Sequence, residues 1–173
     1  DYTKFITPRD QIENEVLEKY DDYKYEFQTC GQGLMDTPST YNICSDYFMN
    51  HLRLRCGSYG FRAPAQVWEE GTPKQIWSSI GGLWRGVNTA EDLSLKSIME
   101  VLRLGTYIAT QFKPIVAKVI YNMTEAKTVL DTSMGWGDRL AGFFASNATH
   151  YIGCDPNPNT FEIYSEMIRE YSK

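Results

Sequence analysis

Apolar residues recur at the spacing of an α-helix through most of the first 110 residues. The segments with this spacing, and therefore the predicted helices, are 10–20, 41–54 and 88–107. Polar and glycine-rich stretches separate them and predict loops at residues 31–41 and 56–64. The pattern therefore predicts that residues 1–110 are mostly helical and do not build a sheet.

The pattern changes at Gln111, where short apolar runs begin to alternate with amphipathic segments. The predicted elements are a helix at 112–121, a strand at 127–131, a helix at 138–146, a strand at 150–155 and a helix at 161–171. Strand, glycine-containing turn, helix and strand in this order form a βαβ unit of the kind that binds nucleotides. We therefore predict an α/β chain with a helical region, 1–110, followed by the start of a nucleotide-binding domain, 111–173.

Composition places the chain among ordinary globular proteins, with 42% hydrophobic and 23% charged residues. Aromatic residues reach 14%, and the tryptophans Trp68, Trp77 and Trp84 are predicted to be packing anchors. The net charge of -5 argues mildly against a free-standing nucleic-acid binder, because such proteins carry a basic face. Apolar runs stay far below the ~20 residues of a membrane span. We predict a cytoplasmic protein.

The four cysteines lack the spacing of a metal site. Cys30, Cys44, Cys56 and Cys154 form no C-x-x-C pair and have only His51 and His150 as further candidate ligands. A chain of this size and apolar content also has no need of disulfide bonds. The sequence therefore predicts reduced cysteines and no metal.

The strongest chemical signal lies after the first predicted strand. Asp131 ends that strand, and Gly135 and Gly137 follow it. Glycines without a Cβ allow a ligand to lie close to the backbone across a strand end. Twenty positions after Gly135, Asp155 ends the next strand, where a carboxylate can accept both hydroxyls of an adenosine ribose.

Two classes of nucleotide use this geometry. Dinucleotides require a G-x-G-x-x-G turn, which places the pyrophosphate at a helix N-terminus. Here Asp138 directly follows Gly137, where it would repel a pyrophosphate, and the third glycine comes only at Gly142. S-adenosylmethionine has no phosphate and carries an amino group, which suits the carboxylate of Asp131. The ligand chemistry favours S-adenosylmethionine over NAD and disfavours an oxidoreductase.

The segment 129–140 resembles motif I of class I S-adenosylmethionine-dependent methyltransferases, with Ser133 where many members have glycine. The segment 151–157 resembles motif II, and Phe112-Lys-Pro114 resembles the helix that precedes motif I. The variant is similar to methyltransferase-like proteins of phages and large DNA viruses, which are often grouped with DNA-modifying enzymes. This resemblance covers about residues 111–173 and implies a Rossmann-like fold, methyltransferase activity and a nucleic-acid base, with DNA favoured, as the substrate.

The resemblance also implies roles for individual residues. Asp131, Gly135 and Gly137 would line the methionine and ribose part of the cofactor, beside Ser133. Asp155 would hold the ribose hydroxyls, and Pro156 follows it in motif II. Phe112 and Pro114 would close the methionine end, and Trp136 would shape the loop with Asp138 and Arg139. The helical region would act as a substrate-recognition element or a lid.

The chain lacks the Pro-Pro-aromatic segment with which amino-methyltransferases hold a flipped base. Only 173 − 131 = 42 residues follow Asp131, too few for a complete methyltransferase sheet. We therefore expect a fragment or subunit of a methyltransferase that lacks the catalytic motif, with a second chain or a missing segment completing the sheet. The alternative is a non-catalytic methyltransferase-like binding or scaffold protein.

Overall fold

A computed structural model describes residues 29–30, 34–35, 39–78 and 102–172 of the chain. In chain order the elements are strand β1 (Thr29–Cys30), strand β2 (Leu34–Met35), a 3-10 helix (Thr40–Asn42), helix α1 (Ile43–Arg53), helix α2 (Pro64–Glu70), helix α3 (Pro114–Met123), strand β3 (Thr128–Asp131), helix α4 (Asp138–Phe144), strand β4 (His150–Gly153), a second 3-10 helix (Pro158–Thr160) and helix α5 (Phe161–Tyr171). Residues 73–78 and 102–104 are also helical.

Most predicted elements that fall in the described residues are confirmed. Helices α1, α3, α4 and α5 and strands β3 and β4 lie where the apolar pattern predicts them, with ends that differ by up to two residues. The predictions of a loop over 31–41 and of no sheet within 1–110 are wrong at β2, which pairs antiparallel with β1. A ladder of two residues is too short to leave an alternating pattern in the sequence. The predicted helix at 10–20 and most of the one at 88–107 lie outside the described residues.

The chain divides into two compact units. Among the described residues, unit 1 contains 50–78 and 102–110, and unit 2 contains 29–30, 34–35, 39–49 and 111–172.

Strands β3 and β4 of unit 2 form a parallel pair in which Asp131 lies beside Gly153. Side chains alternate between the two faces of the pair. On one face Val129 and Asp131 are buried, whereas on the other the register partners Leu130 and Ile152 are 69% and 59% exposed. The described residues thus form a mostly helical α/β arrangement with a short parallel sheet, buried on one face.

Helices α3 and α4 of unit 2 make a close contact. Pro114 occupies the first turn of α3, where its missing N–H costs no hydrogen bond. An added Cβ at Gly142 of α4 would lie 2.6 Å from the Cβ of Ala117 and 2.5 Å from the carbonyl oxygen of Pro114. The absence of a side chain at Gly142 is therefore what lets the two helices approach each other.

The core of unit 2 is built from the first part of α1, the β3–α4 connection, α4 and α5. Its buried residues are Cys44, Phe48, Met49, Met134, Leu140, Ala141, Tyr164 and Met167. Burial of each large apolar side chain contributes about 1.5–3 kcal/mol to folding. Met134 belongs to the connection between β3 and α4, so the core holds that connection directly.

Unit 1 has smaller clusters, in which Val67 packs with Leu102 and Leu54 packs with Ala65. Trp68 packs against both clusters, but Trp77 is 59% exposed, so its predicted anchoring role is wrong. Trp84 lies outside the described residues. No helix in the described part of the chain is long and apolar enough to cross a membrane.

Candidate functional site at the glycine turn

The connection between β3 and α4, residues 132–137, is called the glycine turn. Gly135 has φ of 57° and Gly137 has φ of 75°, both in the left-handed region that favours glycine. Gly137 is also the N-cap of α4, and an added Cβ there would lie 2.8 Å from the sulfur of Met167. Backbone conformation therefore requires glycine at both positions, and packing requires it again at Gly137.

Asp131 is the centre of a buried hydrogen-bond network at the end of β3. Its carboxylate accepts hydrogen bonds from the Ser133 backbone N–H (3.1 Å), the Arg139 Nε (2.8 Å) and the Tyr151 hydroxyl (2.5 Å). The side chain of Asp131 is only 6% exposed and that of Arg139 is 28% exposed. A buried carboxylate needs such donors, because an unpaired one would be strongly destabilising.

Arg139 connects Asp131 to two further predicted site residues. Its guanidinium also donates to the Ser133 carbonyl oxygen, and its Cζ lies 5.4 Å from the centre of the Phe112 ring. This ring geometry is that of a cation–π contact. Phe112 thus reaches the glycine turn through the arginine, and the arginine charge is shared between a carboxylate and an aromatic face.

Asp155 holds the glycine turn from the neighbouring strand end. Its Oδ2 accepts from the Gly135 N–H at 2.7 Å, and its Oδ1 accepts from the Asn157 N–H at 2.9 Å. The Tyr164 hydroxyl donates to the Gly135 carbonyl at 2.5 Å. The backbone of Gly135 is therefore fixed on both sides, by a carboxylate and by a tyrosine.

Asp138 points into unit 2. It is 2% exposed, and its Oδ1 accepts hydrogen bonds from the Ser45 hydroxyl and from the Gln111 amide, the latter at 3.2 Å. The sequence argument treated Asp138 as a charge that faces a ligand in the turn. The structure instead gives this carboxylate internal partners, so it joins the start of α4 to α1 and to the residues before α3.

The remaining predicted site residues have different surroundings. Trp136 is partly buried and packs against the unit 2 core. Pro114 is buried at the contact of α3 with α4, and Pro156 is exposed. The structure therefore gives the glycine turn two carboxylate contacts, from Asp131 to the Ser133 N–H and from Asp155 to the Gly135 N–H. It places Phe112 against Arg139 and Pro114 in a helix contact.

Three tyrosines lie close enough to Asp131 for its charge to raise their pKa values, and the hydroxyls of Tyr151 and Tyr164 are hydrogen-bond donors. Burial, reinforced by the hydrogen bond to Asp131, raises the pKa of Tyr151 far above its ordinary value. Burial raises the pKa of Tyr164 to about 12, and burial together with the charge of Asp131 raises the pKa of Tyr121 to about 12. Arg139 opposes each of these shifts. The hydroxyls of Tyr151 and Tyr164 therefore position the turn, and none of the three tyrosines can serve as a base at neutral pH.

Tyr151, Tyr164, Ser45 and Gln111 were not predicted as site residues. Tyr151 lies two positions before Gly153, the register partner of Asp131, so side-chain alternation places Tyr151 and Asp131 on the same face. This signal becomes usable once the parallel register is known. Ser45 and Gln111 lie 93 and 27 positions from Asp138, and no local pattern marks them.

The arrangement offers two carboxylates, separated by a glycine turn, at the ends of adjacent parallel strands. Carboxylates in this position accept hydrogen bonds from hydroxyl or ammonium groups of a ligand. Within the described residues no group of three or more histidine, cysteine or acidic side chains could hold a metal ion. Comparison of the chain with known protein families, curated proteins and solved structures finds no match.

Proposed function

We propose that the glycine turn binds S-adenosylmethionine, and that the chain is part of a Rossmann-like methyltransferase. The observation that carries the proposal is the space at Gly135. A Cβ built there would have the Ser133 carbonyl oxygen, 3.9 Å away, as its nearest neighbour. The backbone at Gly135 is thus approachable, while Asp155 accepts from the Gly135 N–H and Asp131 accepts from the Ser133 N–H earlier in the turn.

In this proposal the two carboxylates bind different parts of one cofactor. Asp155 would accept the ribose hydroxyls, and Asp131 would accept the ammonium of the methionine part. When bound, S-adenosylmethionine supplies a methyl group from its sulfonium. The role of the chain is to hold the cofactor in a fixed orientation, which is the main contribution enzymes make to such a transfer.

Arg139 makes a specific prediction about cofactor binding. It donates to Asp131 and to the Ser133 carbonyl, and an incoming ammonium would require the same acceptors. Binding would therefore displace part of this pairing, while Phe112 remains a second contact for the guanidinium. An Arg139→Ala variant should bind the cofactor more tightly, provided the turn keeps its conformation.

The substrate we propose is a nucleic-acid base, with DNA favoured, on the resemblance of motifs I and II. The catalytic segment that would hold the target amine is not in this sequence, so catalysis would need further chain. The exposed Leu130 and Ile152 support this view, because parallel sheets are normally covered on both faces. We propose that a second chain or a further segment covers this face and completes the sheet.

One observation favours the second candidate, a non-catalytic binding or scaffold protein. Both oxygens of Asp131 and both oxygens of Asp155 already accept hydrogen bonds within the chain. A turn stabilised in this way is complete without a ligand. The two candidates differ in a direct observable, the binding of an adenosyl cofactor.

The test is calorimetric titration of the chain with S-adenosylhomocysteine, with NAD as the competing ligand class. We expect saturable binding of S-adenosylhomocysteine alone. Asp155→Asn should weaken it about tenfold or more, since it removes a charge-assisted hydrogen bond worth ~1.5–3 kcal/mol. Glu162→Gln is the matched control, because Glu162 is an exposed carboxylate in the first turn of α5.

Three outcomes would refute the cofactor proposal. The first is equal binding of NAD, and the second is equal affinity in the parent chain and Asp155→Asn. The third is that neither the folded parent chain nor Arg139→Ala binds S-adenosylhomocysteine, which would favour the non-catalytic scaffold protein.

A further inference from the structure

Residues 58–61 of unit 1 form a tight turn, called the Tyr59 turn. Ser58 and Phe61 exchange two backbone hydrogen bonds, of 3.2 and 2.9 Å, and between them Tyr59 has φ of 52° and Gly60 has φ of 80°. Two consecutive left-handed residues define a type I′ turn, whose preferred sequences are Asn-Gly, Asp-Gly and Gly-Gly. Tyrosine is a costly residue at the first of these positions, because its Cβ is crowded there.

Packing of the Tyr59 side chain does little to offset this conformational cost. Tyr59 is 94% exposed, and Phe61 at the end of the turn is 69% exposed. Strained backbone that is not compensated by packing is concentrated at functional sites. Two exposed aromatic rings held by a hydrogen-bonded turn can bind a flat, apolar group of a partner.

A groove of about 530 Å³ adjoins the turn, a size typical of ligand sites. Gly60, Phe61 and Arg62 contribute to it from the turn, and Leu104 and Tyr107 contribute from the segment that ends unit 1. Leu104 is itself 69% exposed. The exposed rings therefore continue into an apolar depression with an arginine at its wall.

The charge of this part of the chain favours an anionic partner. Residues 50–110 contain 7 lysines and arginines and 5 acidic residues, a net charge of 7 − 5 = +2, against -5 for the whole chain. Arg55 and Arg62 flank the Tyr59 turn and form ion pairs with Glu69 and Glu70. These pairs lie at the surface, where such interactions are weak and a phosphate can compete for the arginine.

We propose that the Tyr59 turn and its groove bind single-stranded nucleic acid, with unpaired bases stacked on Tyr59 and Phe61. Aromatic rings combined with nearby cations are the chemistry by which proteins hold unpaired bases. The inference deepens the proposed function and rests on it for the identity of the substrate, since it names where the nucleic acid is held. Its structural basis lies entirely in unit 1.

The test is a fluorescence-anisotropy titration of the full chain with a labelled single-stranded oligodeoxynucleotide at low salt. Tyr59→Asn removes the ring and gives the turn its preferred Asn-Gly sequence, so the thermal midpoint should stay the same or rise. The affinity should fall about tenfold, because one of the two rings on which the bases stack is lost. Phe161→Ala, which removes an exposed aromatic ring of unit 2, is the control and should bind as the parent does.

The proposal is overturned if the parent chain does not bind the oligonucleotide, or if Tyr59→Asn binds it as tightly as the parent. Binding of an apolar peptide that Tyr59→Asn abolishes, with oligonucleotide affinity unchanged, would assign the turn to a protein partner instead. The same variant titrated with S-adenosylhomocysteine separates the two proposals. Tyr59→Asn should leave cofactor binding intact, and failure of cofactor binding in every variant would count against the glycine turn alone.

Discussion

In unit 2 the carboxylate of Asp131 meets Arg139 with side chains 6% and 28% exposed, whereas in unit 1 Arg55 meets Glu69 with side chains 49% and 38% exposed. The two pairs have similar bonding distances, of 2.8 and 2.5 Å. Burial makes the first pair expensive to break, while water screens the second. Similar ion pairs therefore fix the backbone in unit 2 and leave the arginine exchangeable in unit 1.

The left-handed residues show a parallel difference. In unit 2 the glycine turn places Gly135 and Gly137 at such positions, which costs little and leaves space for a ligand. In unit 1 the Tyr59 turn places a tyrosine there, at a conformational cost. We interpret the first as a turn that admits a ligand to the backbone, and the second as a turn that presents a ring.

The largest effect on stability is expected from Asp131→Asn. One amide oxygen cannot satisfy Arg139, Tyr151 and the Ser133 N–H together, and the amide NH2 would face a donor. The free energy of unfolding should fall by about 3 kcal/mol, at the low end for a buried pair because Arg139 retains some contact with water. Denaturant unfolding measures this free energy, with Glu162→Gln as the control. A decrease no larger than that of the control would show that the network does not stabilise the fold.

The next largest effect is expected from Gly142→Ala. A methyl group there would overlap Pro114 and Ala117, so α3 and α4 must separate. The free energy of unfolding should therefore fall by about 2 kcal/mol, despite the better helix propensity of alanine. Gly60→Ala is the matched variant in unit 1, since its Cβ has open space and only the positive φ opposes it, at a cost of about 1 kcal/mol. Equal losses in denaturant unfolding would show that the helix contact is not tight.

A smaller effect is expected from Tyr164→Phe, which removes the hydrogen bond to the Gly135 carbonyl. The free energy of unfolding at neutral pH should fall by about 1 kcal/mol. Burial raises the pKa of Tyr164 to about 12 from its ordinary value of 10.0. The folded chain thus holds this proton more tightly, and the resulting stability is fully present below pH 10 and is lost as the pH rises towards 12. Unfolding measured across this range should show a shallower decline for Tyr164→Phe than for the parent. Identical slopes would contradict the assignment.

The smallest effect is expected from Glu69→Gln in unit 1. The hydrogen bond from Arg55 lowers the pKa of Glu69 below its ordinary value of 4.5. Its contribution is therefore present above pH 4.5 and is lost as the pH falls through the lowered pKa. Because the pair is exposed, the thermal midpoint at neutral pH should not change measurably, and a drop comparable to that of Asp131→Asn would erase the contrast between the units.

The sequence predicts structure well where a residue type or its spacing directly determines the local backbone conformation. Helical spacing located α1, α3 and α5, and short apolar runs located the two strands of the parallel pair. The left-handed conformations of Gly135 and Gly137 fit the predicted turn. The same reasoning assigned Asp138 to the ligand side of the turn, whereas in the structure it bonds Ser45 and Gln111. Both partners are distant from Asp138 in the sequence. Long-range pairing of this kind leaves no periodic signal in one sequence.

The Tyr59 turn illustrates the opposite limit. Its segment was predicted as a loop, which is correct, but the type I′ conformation could not be predicted from a Tyr-Gly sequence that disfavours it. The exposure of Tyr59 and Phe61 likewise depends on which neighbours the fold supplies. A residue that violates its local preference is visible only once the backbone is known.

Binding of an adenosyl cofactor at the glycine turn can be tested by NMR with the glycines selectively labelled with ¹⁵N. S-adenosylhomocysteine should shift the amide signals of Gly135 and Gly137 saturably and leave those of Gly60 and Gly71 in unit 1 unchanged. Signals assigned by single substitution would locate binding at the turn itself. Unchanged Gly135 and Gly137 signals at saturating ligand, or shifts confined to unit 1, would contradict the claim.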